Sequence, residues 1–256
     1  MKKTFIVGNW KMKKTIAESL DFIKVLREER NIDRISNVDI VLTPSFVALA
    51  PVNEACQGSV IKMGAQNAFY EQIGAFCGEI SPRLLKEVCT YVFVGHSERR
   101  TLFGDTDVTV NKRVLACLEE ELIPILCIGE TFEEYTAGHT HQVLNDQLSV
   151  SLQSVQNVTD IIILYEPVWA LGTGEKLPAG QANEIARYIR AVIEALYDLQ
   201  QSKAVRIIYA GSINEDNALS YVSESDIDGL ALGTASLHVD QFFSIIDRVS
   251  KKGLNQ

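Results

Sequence analysis

Short runs of β-branched and aromatic residues recur eight times along the chain, separated by stretches in which apolar residues return at helical spacing. The runs lie at Thr4–Trp10, Asp39–Pro44, Val60–Ala65, Tyr91–Gly95, Ile123–Gly129, Asp160–Glu166, Val205–Ala210 and Gly229–Gly233. Several are almost continuously apolar (YVFV, IPILCI, IIILY), as expected for parallel strands covered on both faces. Between them, Thr15–Arg30 sets Ile16, Leu20, Ile23 and Leu26 on one helical face, and Gln181–Leu199 repeats the pattern with Ile185, Ile189, Val192 and Leu196. Ser81 followed by Pro82 predicts the cap and first residue of a short helix. No linker rich in Gly, Ser or Pro interrupts the series. Eight β/α units in 256 residues predict an α/β fold, a single closed (β/α)8 barrel forming one domain over residues 1–256. An open, doubly wound sheet is the alternative.

Composition adds exclusions. The chain is 46% hydrophobic and 22% charged, enough apolar material for a large core and too much for a disordered chain. With 24 basic and 33 acidic residues the net charge is −9, and no basic block marks a nucleic-acid partner. There is no apolar run of membrane-spanning length, and the opening MKKTFIV is cut short as a leader by Asn9 and Lys11, so it reads as a first strand. Five cysteines without a C-x-x-C spacing suit reduced thiols in a cytoplasm better than a disulfide framework.

In such barrels chemistry gathers at the C-terminal ends of the strands. Asn9 and Lys11 fall there after the first run, Gly95-His96-Ser97-Glu98 after the fourth, Cys127 and Gly129-Glu130 at the fifth, and Glu166-Pro167 at the sixth. Taken alone, Lys11 reads as a solvated surface lysine and His96 as the cap of a helix begun by Ser97. Glu166 is harder to dismiss, because a carboxylate at the end of an apolar strand is desolvated for no structural gain. Together an Asn, a Lys, a His and a Glu on one rim predict proton transfer on a polar substrate. Gly211-Ser212 and Gly233-Thr234, after the last two strands, match the phosphate site common in this barrel class, although the glycines would also serve as tight turns. Dinucleotide, nucleoside-triphosphate, serine-hydrolase and zinc-protease motifs are absent. His139 and His141 do not share a helix face, which leaves no metal site to propose, and Cys127 reads as packing.

GNWKM (Gly8 to Met12), GHSERR (Gly95 to Arg100), CIGET (Cys127 to Thr131), YEPVWALGTG (Tyr165 to Gly174) and the GAQNAF…GAFCGEIS segment (Gly64 to Ser81) resemble the triosephosphate isomerase family over nearly the whole chain. The resemblance implies a TIM barrel without cofactor that interconverts dihydroxyacetone phosphate and D-glyceraldehyde 3-phosphate through an enediolate, in glycolysis and gluconeogenesis. It implies Glu166 as the base, His96 as a neutral electrophile, Lys11 as the charge opposite enediolate and phosphate, and Asn9 as an oxyanion donor. Glu98 would hold Lys11, with Ser97, Cys127 and Tyr209 behind these residues. Trp10, Gly172, Ser212, Gly233 and Thr234 would join Asn9 and Lys11 around the substrate and its phosphate. Pro167, Val168, Trp169, Ala170, Leu171, Gly172, Thr173, Gly174, Glu175, Lys176 and Leu177 would form a lid. The neutral imidazole and the gating lid are established properties of that family, taken over by resemblance and not read from the spacing.

The chain departs from the family pattern at Ala210, Thr234, the lid residues Glu175, Lys176 and Leu177, and at Cys77 and Asp105. These positions surround phosphate, lid and interface and leave the four reacting residues intact. A paralogue acting on a four-carbon keto-sugar phosphate such as erythrulose phosphate is the alternative within the class; a non-catalytic binding barrel is the alternative outside it. The segment Gln66–Glu79 has no helical or strand period yet carries Phe69, Tyr70, Ile73 and Phe76, so it is expected to dock on a partner. The resemblance makes that partner a second copy in a homodimer, with the loop beside the other subunit's site.

Overall fold

The computed structural model describes residues 2–171 and 174–252. Its strands are β1 (Thr4–Asn9), β2 (Val38–Thr43), β3 (Ile61–Ala65), β4 (Tyr91–Val94), β5 (Ile123–Ile128), β6 (Ile162–Tyr165), β7 (Arg206–Ala210) and β8 (Gly229–Leu232). Each pairs in parallel with its sequence neighbours, and β8 pairs with β1 to close the barrel. The runs read from sequence all become strands. Most finish one residue earlier than the expected ends, which fall on Trp10, Pro44, Gly95, Gly129, Glu166 and Gly233.

Alternation along each strand divides the apolar residues between two layers. Phe5, Val7, Phe93, Ile125, Leu164 and Ile208 fill the barrel interior. Ile6, Leu42, Val92, Leu126, Ile163 and Leu230 face the helices instead. This double burial is why the runs read as continuously apolar. Trp10 belongs to the outer layer, edge-on to Phe22 at 4.9 Å between ring centroids, and Phe22 in turn meets Phe242 at 6.1 Å. Burying each such side chain contributes roughly 1.5–3 kcal/mol.

The surrounding helices are α1 (Ile16–Lys24), α2 (Phe46–Ala55), α3 (Pro82–Leu85), α4 (Ser97–Phe103), α5 (Asp107–Glu119), α6 (Phe132–Thr136), α7 (Thr140–Ser151), α8 (Ala179–Leu196), α9 (Leu199–Ala204), α10 (Ala218–Val222) and α11 (Val239–Ser250). Ser81 caps α3 by accepting from Leu84 N, with Pro82 in the first turn, as the dipeptide predicts. Two helix faces need correction. In α1 the buried face runs through Ser19, Phe22 and Ile23, continuing to Leu26 in a π-helical turn, while Ile16 is exposed. Ile16 sits in the first turn beside the Thr15 cap, short of the helix's contact with the barrel. The expected helix Gln181–Leu199 stops at Leu196, which is exposed; Tyr197 breaks the backbone and Asp198 caps α9 by accepting from Gln201 N at 2.7 Å.

Candidate active site

Inward alternation, continued past the strand ends, builds the site. On β1, Phe5 and Val7 point inward, so Asn9 and then Lys11 are the next inward positions. On β6, Ile162 and Leu164 are followed in phase by Glu166; on β7, Ile208 and Ala210 are followed by Ser212. These residues line one cavity of about 790 Å³ at the C-terminal mouth of the barrel, together with His96, Glu98, Gly211, Gly233 and Thr234. His96 is out of phase with Phe93 and reaches the cavity because Gly95 is left-handed at φ +75°, a conformation suited to glycine.

Hydrogen bonds fix how each group faces the cavity. Asn9 Oδ1 accepts from Lys11 N at 3.0 Å, which leaves the Asn9 amide hydrogens as donors. Lys11 has φ +50°, a strained left-handed backbone for a residue with a side chain, and Gln66 Nε2 ties its carbonyl at 2.9 Å. Its ammonium meets Glu98 Oε1 at 2.5 Å. His96 caps α4: its Nδ1 accepts from Glu98 N at 3.3 Å, so the neutral ring carries its proton on Nε2. The capping reading of His96 and the electrophile reading are therefore compatible. One nitrogen holds the helix and the other faces Glu166 Oε2 at 3.5 Å.

Glu166 is only 2% exposed. Its Oε1 accepts from the Ser97 backbone N–H at 2.6 Å, at the first turn of α4, where the helix dipole favours negative charge and offsets desolvation. Ser97 thus acts through its main chain. Gly129 permits the close approach of the two strands here: a Cβ would lie 1.9 Å from the Glu166 carbonyl oxygen. Beneath, Cys127 is fully buried in the barrel, its Sγ 3.6 Å from Ile125 O, and burial holds the thiol well above its usual range, which suits packing and not nucleophilic attack.

The stretch after β6 crosses the cavity edge. Val168–Ala170 form a single 3-10 turn, Ser212 Oγ donates to Ala170 O at 2.9 Å, and Val168, Leu171, Gly174 and Lys176 line the cavity. Gly172 and Thr173, expected in the lid and Gly172 also at the phosphate, lie outside the described residues. Glu175 lines a neighbouring cavity with Phe132, Tyr135 and Trp169, and Leu177 is buried at the head of α8. Among the described residues no group of three or more His, Cys, Asp or Glu is placed to hold a metal ion.

Residues 4–249 match the family model described as triosephosphate isomerase. The chain belongs to the triosephosphate isomerase family. It is similar to the triosephosphate isomerase of Alkaliphilus metalliredigens, 44% identical over 250 residues that cover 96% of this chain and 100% of that one. Likewise the triosephosphate isomerase of Dictyoglomus turgidum is 43% identical, covering 96% and 99%, and that of Clostridium botulinum 41%, covering 96% and 100%.

Within this family frame, three further buried side chains lie around the site. Trp10 borders the cavity, but its side chain is fully buried and its indole Nε1 donates to Ser236 O at 3.0 Å. Tyr209 is also buried, stacked on Tyr221 at 4.6 Å. Glu130, noted in sequence only as a rim residue, is completely buried; its Oε1 accepts from Tyr165 Oη at 3.1 Å and Trp169 Nε1 at 3.0 Å. It anchors the 3-10 turn that follows β6. The only sequence signal for that role was its place in the CIGET motif. The Gln66–Glu79 loop folds on itself, with Phe69 stacked on Tyr70 at 4.2 Å and tilted against Phe76 at 4.7 Å.

Proposed function

We propose that this chain, a single catalytic domain over residues 1–256, interconverts dihydroxyacetone phosphate and D-glyceraldehyde 3-phosphate through an enediolate. The observation that carries the reading is the Glu166 carboxylate, buried on the cavity floor 3.5 Å from His96 Nε2, with the Asn9 amide and Lys11 ammonium lining the same cavity. Glu166, released from Ser97 N–H, takes the proton from the carbon beside the carbonyl. The C–H electron pair forms the C–C double bond, and the carbonyl π pair moves to oxygen. His96 Nε2–H, the Asn9 amide and Lys11 meet that oxygen as charge develops on it. His96 passes a proton to that oxygen and takes one from the adjacent hydroxyl, whose O–H electron pair forms the new carbonyl as the C–C double bond takes the proton back from Glu166 at the neighbouring carbon. The rearrangement is redox-neutral and calls for no cofactor. Ser212, Gly233 and Thr234 at the far wall receive the phosphate through main-chain amides, with Gly172 as their lid counterpart. Residues 167–177 close over the site and exclude water, so that the enediolate is reprotonated before it can expel phosphate.

Nothing in the cavity or among the relatives favours the four-carbon alternative. A coupled assay on both three-carbon substrates beside erythrulose phosphate tests the reading. Turnover of the three-carbon pair in both directions is expected, and its absence would overturn it.

A homodimer through Gln66–Glu79 belongs to the same reading. Exposed Ile73 (73%) and Phe76 of that loop, with exposed Met12 (95%), Leu102 and Phe103 elsewhere on the chain, offer more apolar surface than an isolated barrel needs. A cytoplasmic setting agrees with five unpaired cysteines. No helix among the described residues is long and apolar enough to cross a membrane.

A further inference from the structure

The lid segment is gripped at both ends by residues from the loop and helix that follow β7. Near its start, Ser212 Oγ holds the Ala170 carbonyl at 2.9 Å. At its end, Tyr221 Oη donates to the Leu177 carbonyl at 2.7 Å, in a bond buried from solvent. Tyr221 comes from α10, 44 residues further along the chain, and is itself 3% exposed. Its ring lies nearly parallel to that of Tyr209, at 20° and 4.6 Å, so the hydroxyl has little freedom to leave. The backbone it holds is already constrained. Leu177 is buried, and Pro178, which has a ring-locked φ of −54° and no N–H of its own, precedes the first residue of α8.

We propose that Tyr221 is a positioning residue for catalysis: its buried hydroxyl pins the Leu177 carbonyl and so fixes the point about which the C-terminal end of the lid turns. The proposal rests on the reading of residues 167–177 as a lid. A lid that turns about a fixed point returns to one closed geometry, whereas a slack end admits several closed states that seal the site poorly. The bond touches neither substrate nor the reacting atoms. Its loss therefore leaves proton abstraction intact and shows in what the closed site protects, the enediolate.

The test is Tyr221→Phe, which removes the hydroxyl and keeps the stacked ring. A lid-shortened variant lacking residues 171–174 is measured beside it. The readouts are kcat/KM and the fraction of turnover that ends in phosphate elimination, in which the enediolate loses its C–O bond to phosphate and leaves methylglyoxal. A fall in kcat/KM of about three- to tenfold, the scale of one lost buried hydrogen bond, is expected for Y221F with a matching rise in elimination. A lower melting temperature with an unchanged elimination fraction would mean that Tyr221 is merely structural, and would overturn the proposal. So would Y221F behaving like the parent while the shortened variant eliminates freely. A shortened variant that turns over like the parent would instead overturn the lid reading, and the latch with it.

Discussion

Replacing Glu166 by Asp withdraws the carboxylate by one carbon–carbon bond, about 1.5 Å, without changing its charge. The parent side chain sits 3.5 Å from His96 Nε2 and 2.6 Å from Ser97 N. Neither contact survives a retraction of that size unless the backbone of β6 follows, and the backbone is held: Glu166 N donates to Ile128 O at 2.9 Å. A misplacement of about 1 Å at a reacting group can cost on the order of 10²-fold in rate, so a fall in kcat of at least about 10²-fold is expected, with KM within a few-fold. Stability separates this from damage to the fold. Loss of one buried methylene costs roughly 0.5–1.5 kcal/mol, which for a chain of this size lowers Tm by only a few degrees. Steady-state kinetics in both directions, beside a thermal melt, make the measurement. A kcat within about twofold of the parent in a folded variant would show that Glu166 is not the base, because no carboxylate shortened by about 1.5 Å can hold the same proton-transfer geometry.

Two further outcomes follow, one from a buried carboxyl and one from an exposed thiol. Burial raises the carboxyl of Glu130 above the ordinary glutamate range, so between the unfolded value near 4.3 and its folded value the native state binds more protons, and its stability falls as pH rises. Glu130→Gln keeps an Oε1 acceptor for Tyr165 and Trp169 without the ionisation, so thermal melts should favour the variant increasingly above about pH 4.3; parallel curves would refute this. Among the thiols, burial pushes Cys56 and Cys89 up to about 12 and Cys117 and Cys127 upward as well, whereas Cys77 is exposed at the loop tip. Alkylation of Cys77 should slow as protein concentration rises and should yield monomers of low activity; equal rates in dilute and concentrated samples, or a monomeric mass by light scattering at micromolar concentration, would refute the dimer.

The barrel was legible because a strand buried on both faces leaves an apolar run that few other elements leave. Of the candidate reacting residues Glu166 was legible alone, because a carboxylate closing an apolar run is desolvated for no structural gain, whereas Lys11 alone read as a surface lysine and gained its role only from its company on the rim. Asn9, Lys11 and Glu166 fall in the inward phase of their strands. His96 falls outside that phase, and only Gly95 beside it hints at the turn that brings it in. What stayed hidden depends on closure in three dimensions. Tyr221 and Leu177 are 44 residues apart, Glu130 and Trp169 are 39 apart, and Gln66 reaches back 55 residues to Lys11. No local period records such pairings. The exposure of Ile16 was missed for a similar reason, since helical spacing gives the direction of a face but not where its contact with the barrel begins.

Strand register links the two kinds of information. Tyr165, the last residue of β6, pairs with Ile128 on β5 and with Tyr209 on β7, and these pairings decide which neighbour of Tyr165 faces the axis. A slip of one residue would turn Tyr165 inward and carry Glu166 toward the helices, away from His96 and from the Ser97 N–H that receives its charge. The apolar residues that make such a slip costly, Ile162 and Leu164 inside and Ile163 outside, do no chemistry themselves. They aim the carboxylate, and for that reason volume-changing substitutions at Leu164 should disturb turnover before they unfold the barrel.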